Sequence, residues 1–370
     1  MSALFSPYQL GRLAMSNRIV VSPMCQYVAE DGRATSWHLV HLGGLAASGA
    51  AALVIEATAV EAAGRITPGD LGLWDATTEA ALRPVVSAIR GVSGIKVILQ
   101  LGHAGRKASS DAPWDGGRQL VPAVGGWTPS APSALPHEET ELPPIALDRR
   151  GMLRIRDAFV ASAVRAVSLG VDGLELHAGH GYLLHQFLSP LANQRTDRYG
   201  GSLDNRMRFP LEVFDAVREA LPLAMPLGIK LSATDWIDGG WDLDQSVTLA
   251  RELKRRGVDW ISVSSGGISP KQNIVAGPGY QVPFARRIGI DAGVTTIAVG
   301  LITEPRQADD IIASGAADFV ALARAMLYDP RWAWHAAAAL GATVEAPRPY
   351  WRAAPAAHAQ LFHNTRFGSR

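Results

Sequence analysis

Four stretches of the chain repeat one pattern: apolar positions at helical spacing, a glycine, then an unbroken apolar or β-branched run. They are Ser48-Gly49-Ala50 running on to Ala57, Ser168–His177, Arg255–Ser264 and Ala313–Ala323. The glycine stands where a helix C-terminus calls for a left-handed residue. Each run that follows is short and apolar, as a strand buried on both faces requires. Further strand candidates lie between them at Arg18–Val21, Lys96–Leu101, Leu227–Leu231 and Thr296–Val299. Eight strands alternating with helix-patterned segments predict an α/β protein, a single closed (β/α)8 or TIM barrel over residues 1–346. An open doubly wound sheet is the alternative. It fits less well, because no G-x-G-x-x-G follows the first strand and Gly43-Gly44 falls inside a helical pattern.

The alternation is interrupted once. Between the third and fourth strands lies an insert, residues 102–150, carrying Pro113, Pro122, Pro129, Pro132, Pro136, Pro143 and Pro144. No long helix fits there, and the segment reads as a cap over the barrel or as a plain surface excursion. Residues 347–370 are polar and aromatic and read as a C-terminal tail. Composition narrows the class further. The chain has 370 residues, 48% of them hydrophobic and 19% charged, with a formal net charge of +1. That balance gives no electrostatic case for a nucleic-acid or membrane partner. The most apolar stretch, Leu42–Ile55, is shorter than the ~18 residues a membrane span needs. The N-terminus lacks the basic-then-apolar layout of a secretory signal, so a cytoplasmic enzyme is expected. Cys25 is the single cysteine, which excludes intrachain disulfides, an all-cysteine zinc site and a four-cysteine iron–sulfur cluster.

Catalytic groups of such a barrel gather at the C-terminal ends of its strands. Each predicted strand here ends in polar or small residues: Ser22-Pro23-Met24-Cys25-Gln26-Tyr27 after the first, Ala57-Thr58 after the second, Gln100 and His103–Lys107 at the third. His177-Ala178-Gly179-His180-Gly181-Tyr182 closes the fourth, Lys230 lies on the fifth, Gly300 follows the seventh and Ala323-Arg324 the eighth. The histidines at 177 and 180 admit three readings: zinc ligation, polarisation of a carbonyl, or satisfied core residues. Zinc needs a third ligand, and no other strand end offers a histidine or carboxylate cluster. Tyr182, two residues on, supplies a proton source and favours the carbonyl reading.

Taken together, SPMCQY, QLGHAGRK, HAGHGYLLHQFLSPLANQRTDRYGGSLDNR and ALAR resemble the Old Yellow Enzyme family of FMN-dependent ene-reductases, in its NADPH dehydrogenase and xenobiotic reductase branch. The likeness runs to about Pro347. It implies non-covalent FMN at the strand ends, with Ser22, Pro23, Met24 and Cys25 flanking the flavin ring. Ala57, Gln100, His177 and Lys230 would reach the ring, and Gly300, Ala323 and Arg324 would hold the phosphate. Two positions depart from the family pattern. Lys230 stands where an arginine is usual, which keeps the charge and loses the bidentate fork. Ala323 stands where a glycine is usual, which is tolerable only with a negative φ.

The resemblance further implies that NADPH or NADH reduces the flavin. An α,β-unsaturated carbonyl compound then enters the same site, its oxygen bound by His177 and His180 and, with added help, by Tyr27. Tyr182 protonates the α-carbon opposite the incoming hydride, and Cys25 tunes the flavin. Arg106 and Lys107 suit either dinucleotide phosphates or anchoring of the insert, while Trp127 and Trp241 read as packing residues. A C-terminal arginine beside aromatics, here Arg352, is implied to enter a neighbouring subunit's site in a homodimer or homotetramer. The residues alone also admit a non-redox lyase or aldolase using Lys230 as its amine, and a flavin-binding protein without turnover.

Overall fold

The computed structural model describes residues 2–362. Eight parallel strands close into a barrel in chain order: β1 (Ile19–Val21), β2 (Ala52–Ala59), β3 (Lys96–Gly102), β4 (Gly173–Ala178), β5 (Leu227–Ser232), β6 (Trp260–Ser264), β7 (Thr296–Ala298) and β8 (Phe319–Leu322). Closure comes from β8 pairing with β1, Val320 against Ile19. The strands match the runs predicted from the sequence, and the open sheet is ruled out. Gly49, Gly170, Gly257 and Gly315 all have positive φ, so the repeated glycine marks the end of a helix each time. Those helices are α1 (Ser36–Ala46), α3 (Arg149–Leu169), α6 (Leu243–Arg255) and α8 (Pro305–Ala313). The others are α2 (Ala76–Val92), α4 (Leu183–Leu188), α5 (Leu203–Ala220), α7 (Val282–Ala292), α9 (Arg324–Tyr328) and α10 (Trp332–Leu340).

Apolar residues fill two regions. The larger lies between strands and helices, where Ile55, Leu99 and Leu174 meet Phe159, Phe214 and Leu249. The smaller plugs the barrel below the site: Val20, Val54, Ile98, Ile297, Trp260 and Phe319. Trp260 lies over Gly228, where a Cβ would come within 2.0 Å of the indole. That small–large pair lets one ring span the barrel. A hairpin not foreseen in the sequence, Tyr8–Leu10 against Leu13–Met15, sends Leu10 and Met15 into the same plug and closes the strand N-terminal end. Burying side chains of this size contributes about 1.5–3 kcal/mol each.

The insert has no long helix. It winds through short 3-10 turns at Gly105–Lys107, Pro113–Asp115 and Pro122–Val124, and pairs Ser130–Ala131 with Ile145–Ala146. Arg195 fastens it to the barrel by donating to the carbonyls of Pro132 (2.8 Å) and Leu147 (2.6 Å). The C-terminal segment also packs. After turns at Arg348–Ala353 and Ala356–His358, Leu361 and Phe362 are buried, and the Phe362 ring meets Trp334 edge-on at 4.9 Å. Residues 363–370 of the expected tail lie outside the described residues.

Candidate active site

At the floor of the strand C-terminal end sits a buried carboxylate, Glu175 of β4, not singled out in the sequence. It accepts from Gln100 Nε2 (2.7 Å), Trp260 Nε1 (2.9 Å) and Ser262 Oγ. Gln100 is its register neighbour on β3, so the amide is pinned from below. Lys230 lies beside His177 in the β4–β5 register and is 5% exposed. Burial lowers its pKa and the Glu175 charge partly offsets that. Among the described residues its ammonium has no hydrogen-bond or ion-pair partner. A cation desolvated without a partner is costly, so a group from outside the chain is wanted there.

Lys230 lines a cavity of about 230 Å³ together with Ser22, Pro23, His180, Gly300, Ala323 and Arg324. The structure thus gathers seven of the sequence-predicted residues from five strand ends. Gly300 has φ +117, and a Cβ there would lie 2.9 Å from Gln281 Nε2, so only glycine keeps this wall thin. Ala323 has φ −106, which meets the condition its replacement of glycine imposes. Arg324 is exposed and, among the described residues, unpaired with any carboxylate.

On the other side stand His177, His180 and Tyr182. The His177 ring lies 5.1 Å from that of His180 and 4.9 Å from that of Tyr182, both edge-on. Gly179 N–H donates to His177 Nδ1 at 3.2 Å, which assigns the ring proton to Nε2. His180 Nε2 sits 2.8 Å from Ser264 Oγ, and Ser264 and Ser265 both donate to Gln281 Oε1. This qualifies the expectation of two waiting donors: His177 Nε2–H is poised, whereas His180 Nε2–H is given to Ser264. Burial, followed by neighbouring cations, holds both histidines well below the ordinary pKa, so both are neutral. Burial first, then Cys25, Tyr27 and Asp70, pushes the Tyr182 phenol up, and it keeps its proton. His180 and Tyr27 both have left-handed backbones, φ +54, the local strain that functional positions often carry.

Met24 packs against the apolar core. Cys25 is held as a thiol: burial first, then Glu56 and Asp70, raises its pKa, consistent with a non-nucleophilic part. Tyr27 contacts that thiol and is braced edge-on by Trp114 of the insert at 5.7 Å. A register shift in β2 between Ile55 and Thr58 re-aims Glu56 and Ala57. Glu56 then accepts from Gln26 N at 2.9 Å and faces buried His38 at 3.4 Å, bracing the loop after β1. Sequence pattern gave no sign of these braces, whose partners are far apart in the chain.

Arg106 and Lys107 resolve to anchors. Arg106 donates to the carbonyls of Pro136 (3.2 Å) and Ile268 (2.6 Å). Lys107 donates to those of His180 (3.0 Å) and Gly267 (3.1 Å). Trp241 is buried, with Nε1 on Ser246 Oγ, and Trp127 donates to Ala63 O at 3.0 Å; both are packing residues. Arg352 is exposed on a turn whose Arg348 and Trp351 face Ala50, Ser93 and Ile95 near the strand N-termini. The chain does not bring it to its own site.

Fold and site together define a (β/α)8 enzyme with a cavity lined by polar and charged residues at the strand C-termini. A profile of the NADH:flavin oxidoreductase / NADH oxidase family matches residues 3–342. An NADPH dehydrogenase of Listeria innocua is 41% identical over 355 residues, covering 95% of this chain and 99% of that protein. One from Geobacillus sp. is 42% identical over 351 residues, covering 94% and 98%. Among solved structures, morphinone reductase superposes with a TM-score of 0.77 at 28% identity, covering 99% of both chains. The same enzyme in complex with tetrahydroNAD gives 0.75 at 29% identity over 94% and 93%. The chain belongs to this family, that of Old Yellow Enzyme, and is an NAD(P)H:flavin oxidoreductase, which sets the aldolase alternative aside. Among the described residues, no helix is long and apolar enough to cross a membrane.

Proposed function

We propose that the chain is an FMN-dependent ene-reductase, which uses NADPH or NADH to reduce the activated C=C bond of α,β-unsaturated carbonyl compounds. The observation that carries this reading is the buried, partnerless Lys230 in one cavity with Arg324, Gly300 and Ala323. Lys230 would hold an anionic group of the cofactor and Arg324 its phosphate, as loops after strands seven and eight hold phosphate in other barrels. Bound there, FMN would supply hydride exchange between a nicotinamide and an alkene. Morphinone reductase, whose structure is known in complex with tetrahydroNAD, supports a nicotinamide dinucleotide as the reductant.

The protein's part is binding and proton management. His177 Nε2–H binds the substrate's carbonyl oxygen, and His180 joins when its Nε2 turns from Ser264. Polarising that oxygen makes the β-carbon electrophilic. Tyr182, kept protonated by its surroundings, delivers a proton to the α-carbon. Tyr27 adds a contact to substrate, and Cys25 offers an uncharged thiol beside the ring. Arg352 serves a neighbouring subunit of a homodimer or homotetramer, in keeping with its position away from its own site. Heat or acid should release FMN from the purified yellow protein. Lys230→Met should weaken FMN binding by about 1.5–3 kcal/mol, the range for hydrogen bonds to a charged group. Release of FAD, or unaltered FMN affinity in that variant, would refute the assignment.

A further inference from the structure

Asp70 is the buried acid nearest this chemistry for which the mechanism so far has no use. It is 2% exposed and held by three donors: Ile66 N (2.7 Å), Thr67 N (3.0 Å) and Thr67 Oγ (2.8 Å). Those bonds leave Oδ2 with a free lone pair. With Tyr182, His177, Ala57, Gly64 and His103 it lines a narrow pocket of about 10 Å³, room for a single water. His103 cannot serve as the acid there: its Nδ1 accepts from Gly105 N at 3.0 Å and its Nε2 faces Glu61 at 3.1 Å.

Tyr182 needs a second acid behind it. Its phenolate would stand buried beside Cys25, Tyr27 and Asp70, a place where a new negative charge is expensive. We propose that Asp70 re-supplies the proton of Tyr182 through one water in their shared pocket, in the same step in which Tyr182 protonates the substrate. The Tyr182 O–H bond breaks as the α-carbon–hydrogen bond forms; the water gives its proton to the phenolate oxygen and takes that of Asp70; the Asp70 carboxylate regains a proton from solvent. The net proton comes from solvent and the hydride from the nicotinamide, so the step balances. This inference rests on the ene-reductase reading and deepens it.

Burial pushes the Asp70 carboxyl up to about 7 despite its three donors, so it holds a proton in the working range. The groups facing it are Cys25 and Tyr27 from the loop after β1, Glu56 from β2, Arg65 from its own loop, and His103 and Tyr182. Glu56 raises the carboxyl further, and Arg65 opposes that.

The test is stopped-flow oxidation of reduced holoenzyme by cyclohexenone across pH and in H₂O/D₂O mixtures. Wild type should slow as pH rises through about 7, with a curved proton inventory showing more than one proton in flight. Asp70→Asn should lose the pH break, give a linear inventory, and slow the step by about tenfold or more, with reduction by NADPH spared. Thr67→Val, which keeps the acid and removes one bond to its carboxylate, should move the break to higher pH; it serves if Asp70→Asn does not fold. Infrared difference spectra of the resting protein should show a carboxylic-acid band that titrates near the same pH and is missing in Asp70→Asn. A pH break and curved inventory retained in Asp70→Asn, or unmoved in Thr67→Val, overturn the relay alone. Wild type that never oxidises with the enone overturns the ene-reductase reading, and the relay with it.

Discussion

The two ends of this barrel are built from the same eight strands, and they differ in nearly everything else. At the strand N-terminal end the apolar side chains of Leu10, Met15, Trp260 and Phe319 fill the interior. At the C-terminal end, a few residues further along the same strands, stand Lys230, His177 and Gln100, all buried and all polar. One side chain joins the halves: the Trp260 ring belongs to the plug, and its Nε1 donates to Glu175 under the site. The closed end stores stability, and the open end spends some of it on a partnerless cation, neutral histidines and left-handed backbones at Tyr27 and His180.

Breaking the closed end should have the largest effect. Trp260→Ala removes a fully buried ring and deprives Glu175 of one hydrogen-bond donor, so unfolding free energy should drop by about 3–5 kcal/mol. Urea titration checks this, and a drop under 1 kcal/mol would mean the plug is not a stabilising core. At the open end, Tyr182→Phe should leave stability nearly unchanged and slow the alkene half-reaction ~10²–10⁴-fold, the usual range for a general acid. Reduction by NADPH should survive; equal slowing of both half-reactions in stopped-flow traces would contradict the acid role.

Acid should also act on the open end. Burial holds His103 down to about 4 and His137 to about 3, with His177 and His180 well below the ordinary value. The unfolded chain takes up these protons as pH falls through about 6.5, and the folded chain refuses them, so stability falls on that side. Asp70, raised to about 7 by burial, and Glu141, raised by burial, work in the opposite sense, against the four histidines. The melting temperature should therefore fall from pH 7 to pH 5, and less so in a His103→Gln variant.

Much of this was legible from sequence for a physical reason. A barrel is made of local units, and Gly170 or Gly257 reports a helix end through its own backbone. The residues around the cavity beside Lys230 were legible through motifs at strand ends, since position along a strand fixes which end of the barrel a side chain reaches. What escaped depends on contacts between distant segments. Glu175 under Gln100 follows from strand register, and the His180–Ser264 hydrogen bond and the pocket shared by Asp70 and Tyr182 follow from how loops pack on the strand ends; a single chain displays neither. The N-terminal hairpin escaped because its strands are only three residues long. For Lys107 the sequence left a phosphate ligand and an anchor equally open, because it shows the charge and not the two carbonyls that hold it.

A smaller effect should come from the C-terminal segment, which packs Phe362 on Trp334. Truncation after Pro347 should cost about 1–3 kcal/mol. If Arg352 reaches a partner's site, it should also raise the Michaelis constant for enones with FMN retained. Full kinetics and unchanged oligomeric mass by light scattering would place Arg352 outside every site.

The contrast between the two ends rests on the open end being a flavin site that turns over alkenes. The most direct measurement is an anaerobic absorbance experiment on the purified protein, first with NADPH and then with cyclohexenone. The account predicts a yellow protein whose visible band bleaches with the nicotinamide and returns in full when the enone is added. A colourless protein, or a bleached one that the enone leaves reduced, would contradict it.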